Sequence, residues 1–232
     1  MVERWVHLTE LGGDPWILPV WSAMNQAVQA GMVAPLERDL GEVGMHISIR
    51  LNFLSRIVRR VNAAVQNLYR EVSERNPEHE FTRNTEGVAL DVDNDLKYEL
   101  LVDLDSLLFE FNSVCELTNT LFERLHDHIG KPMPKPNAGL SMRSILEGNG
   151  EDPSWFVVLD TNRNFFMHEG APYVAVDISK APQDYDLLIM KENLKTFDDT
   201  RKFVKLSEIN EAVQGFRRSR LILQMYFRNL FT

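Results

Sequence analysis

The chain has 232 residues, of which 44% are hydrophobic and 25% are charged, a composition typical of globular proteins. A chain of this length buries a sizeable core without metal or disulfide support, so we expect one large domain. The formal net charge of −9 argues against a general nucleic-acid coat protein, because non-specific phosphate binding requires positive charge, but it permits an enzyme with a local basic site.

The N-terminal residues show no basic start followed by an apolar run, so we expect no signal peptide. No stretch approaches the roughly 20 apolar residues of a membrane span, and we therefore predict a cytoplasmic protein without membrane contact. The single cysteine, Cys115, suits a reducing compartment and cannot form a disulfide within the chain. Its place in a helical pattern predicts a buried side chain rather than a reactive one.

Two long amphipathic helices dominate the pattern. In the first, which should end before Pro77, apolar residues recur in helical steps of four and three at Ile47, Leu51, Leu54, Val58, Val61, Val65, Leu68 and Val72. The second begins near Asn94, ends at Gly130 and carries a similar stripe at Leu101, Leu104, Leu108, Phe111, Cys115, Thr118, Phe122 and Leu125. Two helices with such stripes pack against each other, so the sequence predicts a mainly α helical bundle.

Shorter elements precede and join these helices. Residues 1–35 are predicted to form an N-terminal extension with a short helix near 20–30, and residues 36–232 to form the main domain. The connector at 77–94 has room for a short strand after Gly87.

The second half of the chain mixes helices with strands. A short helix at 140–147 precedes a longer one that starts at Asp152-Pro153, where a capping carboxylate is followed by proline. A small β-hairpin insertion is predicted at about 172–205, and a final helix at 207–231. Its strands are expected at 173–178 and 185–190, with 203–206 as a candidate third strand.

The helix after Asp152 carries three polar residues, Arg163, Asn164 and His168, among large apolar neighbours. Asn164 and His168 are four residues apart and share a face of the helix. Arg163 lies about 100° round from Asn164, but its side chain is long enough to bring the guanidinium over a ligand bound on that face. His168 falls in the last turn, where unpaired carbonyls favour the imidazolium. Such a histidine can move protons at a phosphodiester while the arginine stabilises the phosphate charge.

The residues Arg163-Asn164-Phe-Phe-Met-His168 resemble the signature of the HEPN superfamily (higher eukaryotes and prokaryotes nucleotide-binding), an arginine, a polar neighbour and a histidine shortly after. The bundle with two long helices first is similar as well. The resemblance implies a metal-independent endoribonuclease without a cofactor, in which a ribose 2′-hydroxyl attacks the adjacent phosphate in a cleft between two motifs of a homodimer. It implies proton transfer by His168, phosphate binding by Arg163 and positioning by Asn164.

The same resemblance leaves other functions open. A toxin-like effector of this kind would have an antitoxin-type protein partner, whereas other superfamily members are non-catalytic modules that bind a nucleotide or a protein. An unrelated helical scaffold protein is a third hypothesis. In that case His168 caps its helix beside Glu169, and Arg163 pairs with Asp160, three residues earlier.

A polar line on the second long helix supplies further candidates. Asp105, Asn112 and Asn119 are spaced by seven residues beside the core stripe, and Glu116 lies nearby. We nominate Asn112 and Glu116 as binding residues. The alternative is that this line is simply a solvated boundary of the core.

The last helix is locally basic, with Arg217, Arg218, Arg220 and Arg228. Arg217 and Arg220 are candidate RNA-binding residues. The alternative is structural, because the helix dipole by itself favours basic residues late in a helix.

The run His126-Asp127-His128 resembles a metal-binding pattern in composition only. Residues two apart on a helix do not face each other, and no cysteine cluster assists them. The sequence therefore predicts no metal site.

Overall fold

A computed structural model describes residues 12–75, 82–84, 87–89, 92–169, 173–178, 184–194 and 196–232. For 82–84, 87–89 and 167–169 only the backbone is described. The helices are α1 (Leu18–Gln29), α2 (Arg38–Glu74), α3 (Asn94–Ile129), α4 (Ala138–Gly148), α5 (Trp155–Glu169) and α6 (Leu206–Asn229). The strands are β1 (Thr82–Asn84), β2 (Gly87–Ala89), β3 (Tyr173–Asp177), β4 (Asp186–Met190) and β5 (Phe203–Lys205).

The prediction of a mainly α fold with two long packed helices and a small β insertion is confirmed. The apolar stripes of α2 and α3 face each other, so that Leu51 and Leu104, for example, are almost fully buried. Two ion pairs cross between these helices, one between Arg50 Nη1 and Glu110 Oε1 at 2.5 Å and one between Arg60 and Asp103. Between these two ion pairs the residue numbers rise along α2 and fall along α3, so the two helices run antiparallel.

The ends of α3 follow local chemistry. Asp93 accepts a hydrogen bond from the Asp95 amide and caps the first turn. Gly130 ends the helix in the left-handed conformation at φ 63°, and the Lys131 amide donates to the carbonyl of His126 at 3.1 Å. The predicted end at Gly130 is therefore confirmed.

The segment before α2 joins the same core as the rest of the described chain. Asp14 accepts a hydrogen bond from the Trp16 amide and starts a 3₁₀ turn that leads into α1. Trp16 donates its indole N–H to the Arg220 carbonyl of α6 at 2.6 Å, and Val20 and Met24 of α1 are fully buried. Residues from the predicted N-terminal extension therefore contribute to the packing of the main domain.

The strands form two separate sheets. β1 and β2 pair as a short antiparallel hairpin within the connector, where a strand was expected after Gly87. β3, β4 and β5 form an antiparallel sheet in that order, with Leu187 and Ile189 of β4 facing the main core. Among the described residues, no helix is both long and apolar enough to cross a membrane.

Candidate functional site

The motif helix α5 begins at a capping carboxylate, as the sequence predicts. Asp152 accepts hydrogen bonds from the Ser154 amide at 2.9 Å and the Ser154 hydroxyl at 2.7 Å, and these bonds lower the pKa of Asp152. Trp155, Leu159, Asn162 and Phe165 are buried at helical spacing. This inward face fixes which residues of the motif are available at the surface.

Trp155 holds the first turn of α5 against α3 and α6. Its indole N–H donates to the Ser219 hydroxyl at 2.9 Å, and its ring lies 6.0 Å from that of Phe111 and 5.6 Å from that of Phe216. Gly215 of α6 makes this approach possible, because a Cβ atom there would lie 2.6 Å from Trp155 Cδ1. The motif is thus carried by a helix that is fixed at its start.

Arg163 and Asn164 lie side by side at the surface of α5. Arg163 is half-buried and Asn164 is exposed. No ion pair joins Arg163 to Asp160, and in the described part of the chain the Arg163 guanidinium has no hydrogen-bond or ion-pair partner. The backbone of His168 continues the same helix, but its side chain lies outside the described residues, as does that of Glu169.

A lysine that the sequence did not mark as a candidate contacts the buried face of the motif helix. Lys191 follows β4 and places its Nζ 4.9 Å from the centre of the Phe165 ring, two residues after Arg163 on α5. Its only sequence signal is its place at the end of a strand, and a contact between segments so far apart is decided by the tertiary fold. Phe165 is two residues from Arg163 and therefore about 200° round α5, so this contact lies on the side of the helix away from Arg163.

The candidate residues on α3 interact with each other. Asn112 Nδ2 donates to Glu116 Oε1 at 2.7 Å, one helical turn away. Within the described part of the chain, neither side chain has a hydrogen bond to Arg163 or Asn164. The structure therefore does not connect the nominated polar pair to the motif.

The two candidate arginines on α6 have different surroundings. Arg220 lies with Nη1 3.5 Å from Asp14 Oδ2, and its backbone carbonyl accepts the Trp16 bond. Arg217 is exposed, whereas its neighbour Arg218 is paired with Glu151 at 2.8 Å. Of the nominated pair, Arg217 is the more accessible to a ligand, and Arg220 contributes to the attachment of the N-terminal segment.

The histidines of the metal-like run have structural partners. His126 is buried, with Nδ1 3.0 Å from the Lys131 carbonyl oxygen and Nε2 3.0 Å from the Tyr226 hydroxyl. His128 Nε2 lies 3.1 Å from the Ala34 carbonyl oxygen. Among the described residues there is no group of three or more His, Cys, Asp or Glu side chains arranged to hold a metal ion.

Cys115 is buried in α3, as expected. Burial, and to a smaller degree the charge of Glu116, raises the pKa of the thiol to about 12. A thiol with such a pKa remains protonated near neutral pH and is a poor nucleophile.

A cavity of about 610 Å³ opens between α2, the start of β4 and the start of α6. Tyr69 and Tyr185 stack in its wall at 5.5 Å, and Asp186 accepts hydrogen bonds from the Ser207 amide and hydroxyl at the first turn of α6. Neither Arg163 nor Asn164 lines this cavity. The two described polar residues of the motif therefore lie outside this cavity.

Comparison of the chain with protein-family models, with curated proteins and with solved structures finds no match in any of the three.

Proposed function

We propose that this chain is a HEPN-type, metal-independent endoribonuclease that binds RNA across the exposed face of α5. The observation that carries the proposal is the guanidinium of Arg163, which is half-buried and unpaired within the described part of the chain. A guanidinium binds two oxygens of a phosphate at once, and partial burial strengthens that interaction. The competing structural role, an ion pair with Asp160, is absent.

The neighbouring groups support phosphate binding at this position. Asn164 is exposed one residue away and offers both a donor and an acceptor to a nucleotide. Because Trp155 anchors the start of α5, these groups are presented on a rigid element, which favours positioning of the reacting phosphate.

In the proposed reaction the ribose 2′-hydroxyl attacks the adjacent phosphorus. A bond forms between phosphorus and the 2′-oxygen as the bond to the 5′-oxygen breaks. The 2′-hydroxyl proton passes to His168, the departing 5′-oxygen takes a proton from water, and His168 then returns its proton to the hydroxide so formed. The products are a 2′,3′-cyclic phosphate and a 5′-hydroxyl end, while Arg163 stabilises the charge that grows on the phosphate oxygens.

The test is cleavage of a labelled mixed-sequence RNA in EDTA. His168→Ala should lower the cleavage rate by about 10²- to 10⁴-fold, the usual contribution of a proton-transfer group. Arg163→Gln should lower it by about 10²- to 10³-fold, and Arg163→Lys should restore only part, because an ammonium does not bind two oxygens in one plane. His46→Ala is the matched control, since His46 is an exposed histidine of α2.

RNA binding, measured in parallel, separates the remaining functions. Cleavage that leaves cyclic phosphate ends and depends on His168 supports the nuclease. If the wild-type chain binds RNA through Arg163 but cuts none of a broad set of RNAs, the protein is a non-catalytic binding module. If it neither binds nor cuts RNA, the proposal is wrong and the scaffold hypothesis replaces it.

A further inference from the structure

The long helix α3 exposes an apolar stripe on the side that faces away from the core. Tyr98, Val102 and Phe109 are 67%, 59% and 51% exposed. Their spacing of four and seven residues places them on one face of the helix, within about 60° of each other. Three large apolar side chains aligned in this way are unusual on a solvated helix, where polar residues are favoured.

The stripe continues onto α2. The Arg50 guanidinium carbon lies 6.0 Å from the centre of the Phe109 ring, and Phe53, one turn further along α2, is 36% exposed. We call the surface formed by Phe53, Tyr98, Val102 and Phe109 the apolar face. It belongs to both long helices rather than to one of them.

The apolar face lies on the opposite side of α3 from the motif helix. Phe111 is buried against Trp155 of α5, whereas Phe109, two residues earlier and therefore about 200° round the helix, is exposed. A partner on the apolar face would leave Arg163 and Asn164 accessible. Occupation of this surface is therefore compatible with RNA binding at the motif.

Unpaired charges of opposite sign flank the apolar face on its two helices. Arg56 and Arg59 on α2 are exposed, as is Asp105 on α3, and none of the three has an ion-pair partner in the described part of the chain. The two crossing ion pairs show which residues lie at the same height along the paired helices: Arg50 is level with Glu110, and Arg60 is level with Asp103. Arg56 lies between Arg50 and Arg60 on α2, so it is level with Asp105 on α3.

We infer that a second copy of this chain docks on the apolar face to form a four-helix bundle. A two-fold axis parallel to α2 and α3, lying in front of the apolar face midway between the two helices, places α2 of each copy antiparallel on α3 of the other. The rotation does not change the level along the axis, so Arg56 of each copy meets Asp105 of the other, and the apolar faces are buried together. The face is complementary to itself in charge, which identifies a second copy as its occupant.

This inference goes beyond the proposed function and does not rest on it. The homodimer implied by the HEPN resemblance joins two motifs in one cleft, which would bury the outer face of α5. The four-helix bundle instead joins α2 and α3 through a different surface and leaves the outer face of α5 free for such a cleft. The two arrangements therefore respond to different substitutions.

The test is sedimentation equilibrium of the full-length chain over a wide concentration range. Wild type should be a dimer, and Val102→Glu should weaken dimerisation by about tenfold or more, because it places charge in the buried contact. Arg56→Glu and Asp105→Arg should each weaken it by a similar factor. The double variant R56E/D105R should recover much of the affinity, because the pair is restored with reversed signs.

Circular dichroism establishes that each variant is folded, and Arg228→Glu, at an exposed position of α6, controls for the change in net charge. Recovery in the double variant supports the bundle, since Arg56 and Asp105 form no ion pair within one chain. A monomer at every concentration overturns the inference. A dimer that is insensitive to Val102→Glu and to both charge reversals also overturns it, and Asn164→Glu then tests the motif surface as the interface.

Discussion

Gly215 lies where α6 crosses Trp155, so replacing it with alanine tests the packing that holds the motif helix in place. A Cβ atom at position 215 would lie 2.6 Å from Trp155 Cδ1 and 2.8 Å from Cγ. Carbon atoms normally approach to about 3.5–4.0 Å, so the overlap is roughly 1 Å. The indole has little room to move, because the ring of Phe156 stacks on it at 3.7 Å and Ser219 holds its N–H.

Two opposing terms decide the outcome. Alanine in a helix interior is favoured over glycine by about 1 kcal/mol. Overpacking of a buried site costs about 1–3 kcal/mol, and the rigid surroundings of Trp155 place this site at the upper end. We therefore expect Gly215→Ala to lower the free energy of unfolding by about 1–2 kcal/mol, which lowers Tm by about 2–8 °C for a chain of this size.

Gly41→Ala is the matched control. Gly41 lies at the end of the first turn of α2, and a Cβ atom there would meet Leu36 Cδ2 at 3.6 Å, an ordinary contact. The same substitution should therefore stabilise the protein at position 41, by about 0.5–1 kcal/mol. Urea denaturation followed by circular dichroism gives both values. If Gly215→Ala were as stable as wild type, or changed in the same direction as Gly41→Ala, the packing argument would be refuted.

Two further predictions concern tyrosines. Burial, and then the charge of Asp186, raises the pKa of Tyr69 to about 12, above its ordinary value of 10.0, so the unfolded chain ionises first. The stabilising contribution of Tyr69 should be complete below about pH 10 and lost as pH rises through about 12. Urea denaturation across this range should show a smaller loss of unfolding free energy for Tyr69→Phe than for wild type. Equal losses in both proteins would contradict the raised pKa of Tyr69. Tyr226→Phe removes the hydroxyl bonded to the buried His126 and should cost about 1–3 kcal/mol in the same assay, whereas Tyr98→Phe, at an exposed ring, should cost almost nothing; similar values for the two variants would show that the His126 bond contributes little.

The nomination of α6 arginines shows why a linear pattern does not identify a binding surface. Arg217 and Arg220 are three residues apart and look equivalent in the sequence. In the structure Arg220 lies near Asp14, more than two hundred residues earlier, and Arg217 is exposed. Which arginine remains available depends on where a distant carboxylate lies, and helical spacing contains no information about that.

The local features of this protein were readable from the sequence because their causes are local. The apolar periodicity of α2 and α3 predicts which side of each helix is buried, since burial follows the 3.6-residue repeat. Gly130 ends α3 because glycine adopts the left-handed conformation without steric cost. The capping of α5 by Asp152 depends only on residues next to each other in the chain.

Only the tertiary structure decided which groups meet across the fold. Helix α2 begins at Arg38, before the apolar stripe begins. Its first turns contain Gly44, whose missing side chain leaves room for the Trp21 ring. The contact of Lys191 with Phe165 and the absence of a carboxylate beside Arg163 likewise depend on how separate segments pack. Sequence alone therefore determined the helices and their buried faces, because those follow from short-range backbone geometry, whereas the state of each charged group was set by neighbours that packing brings from far along the chain.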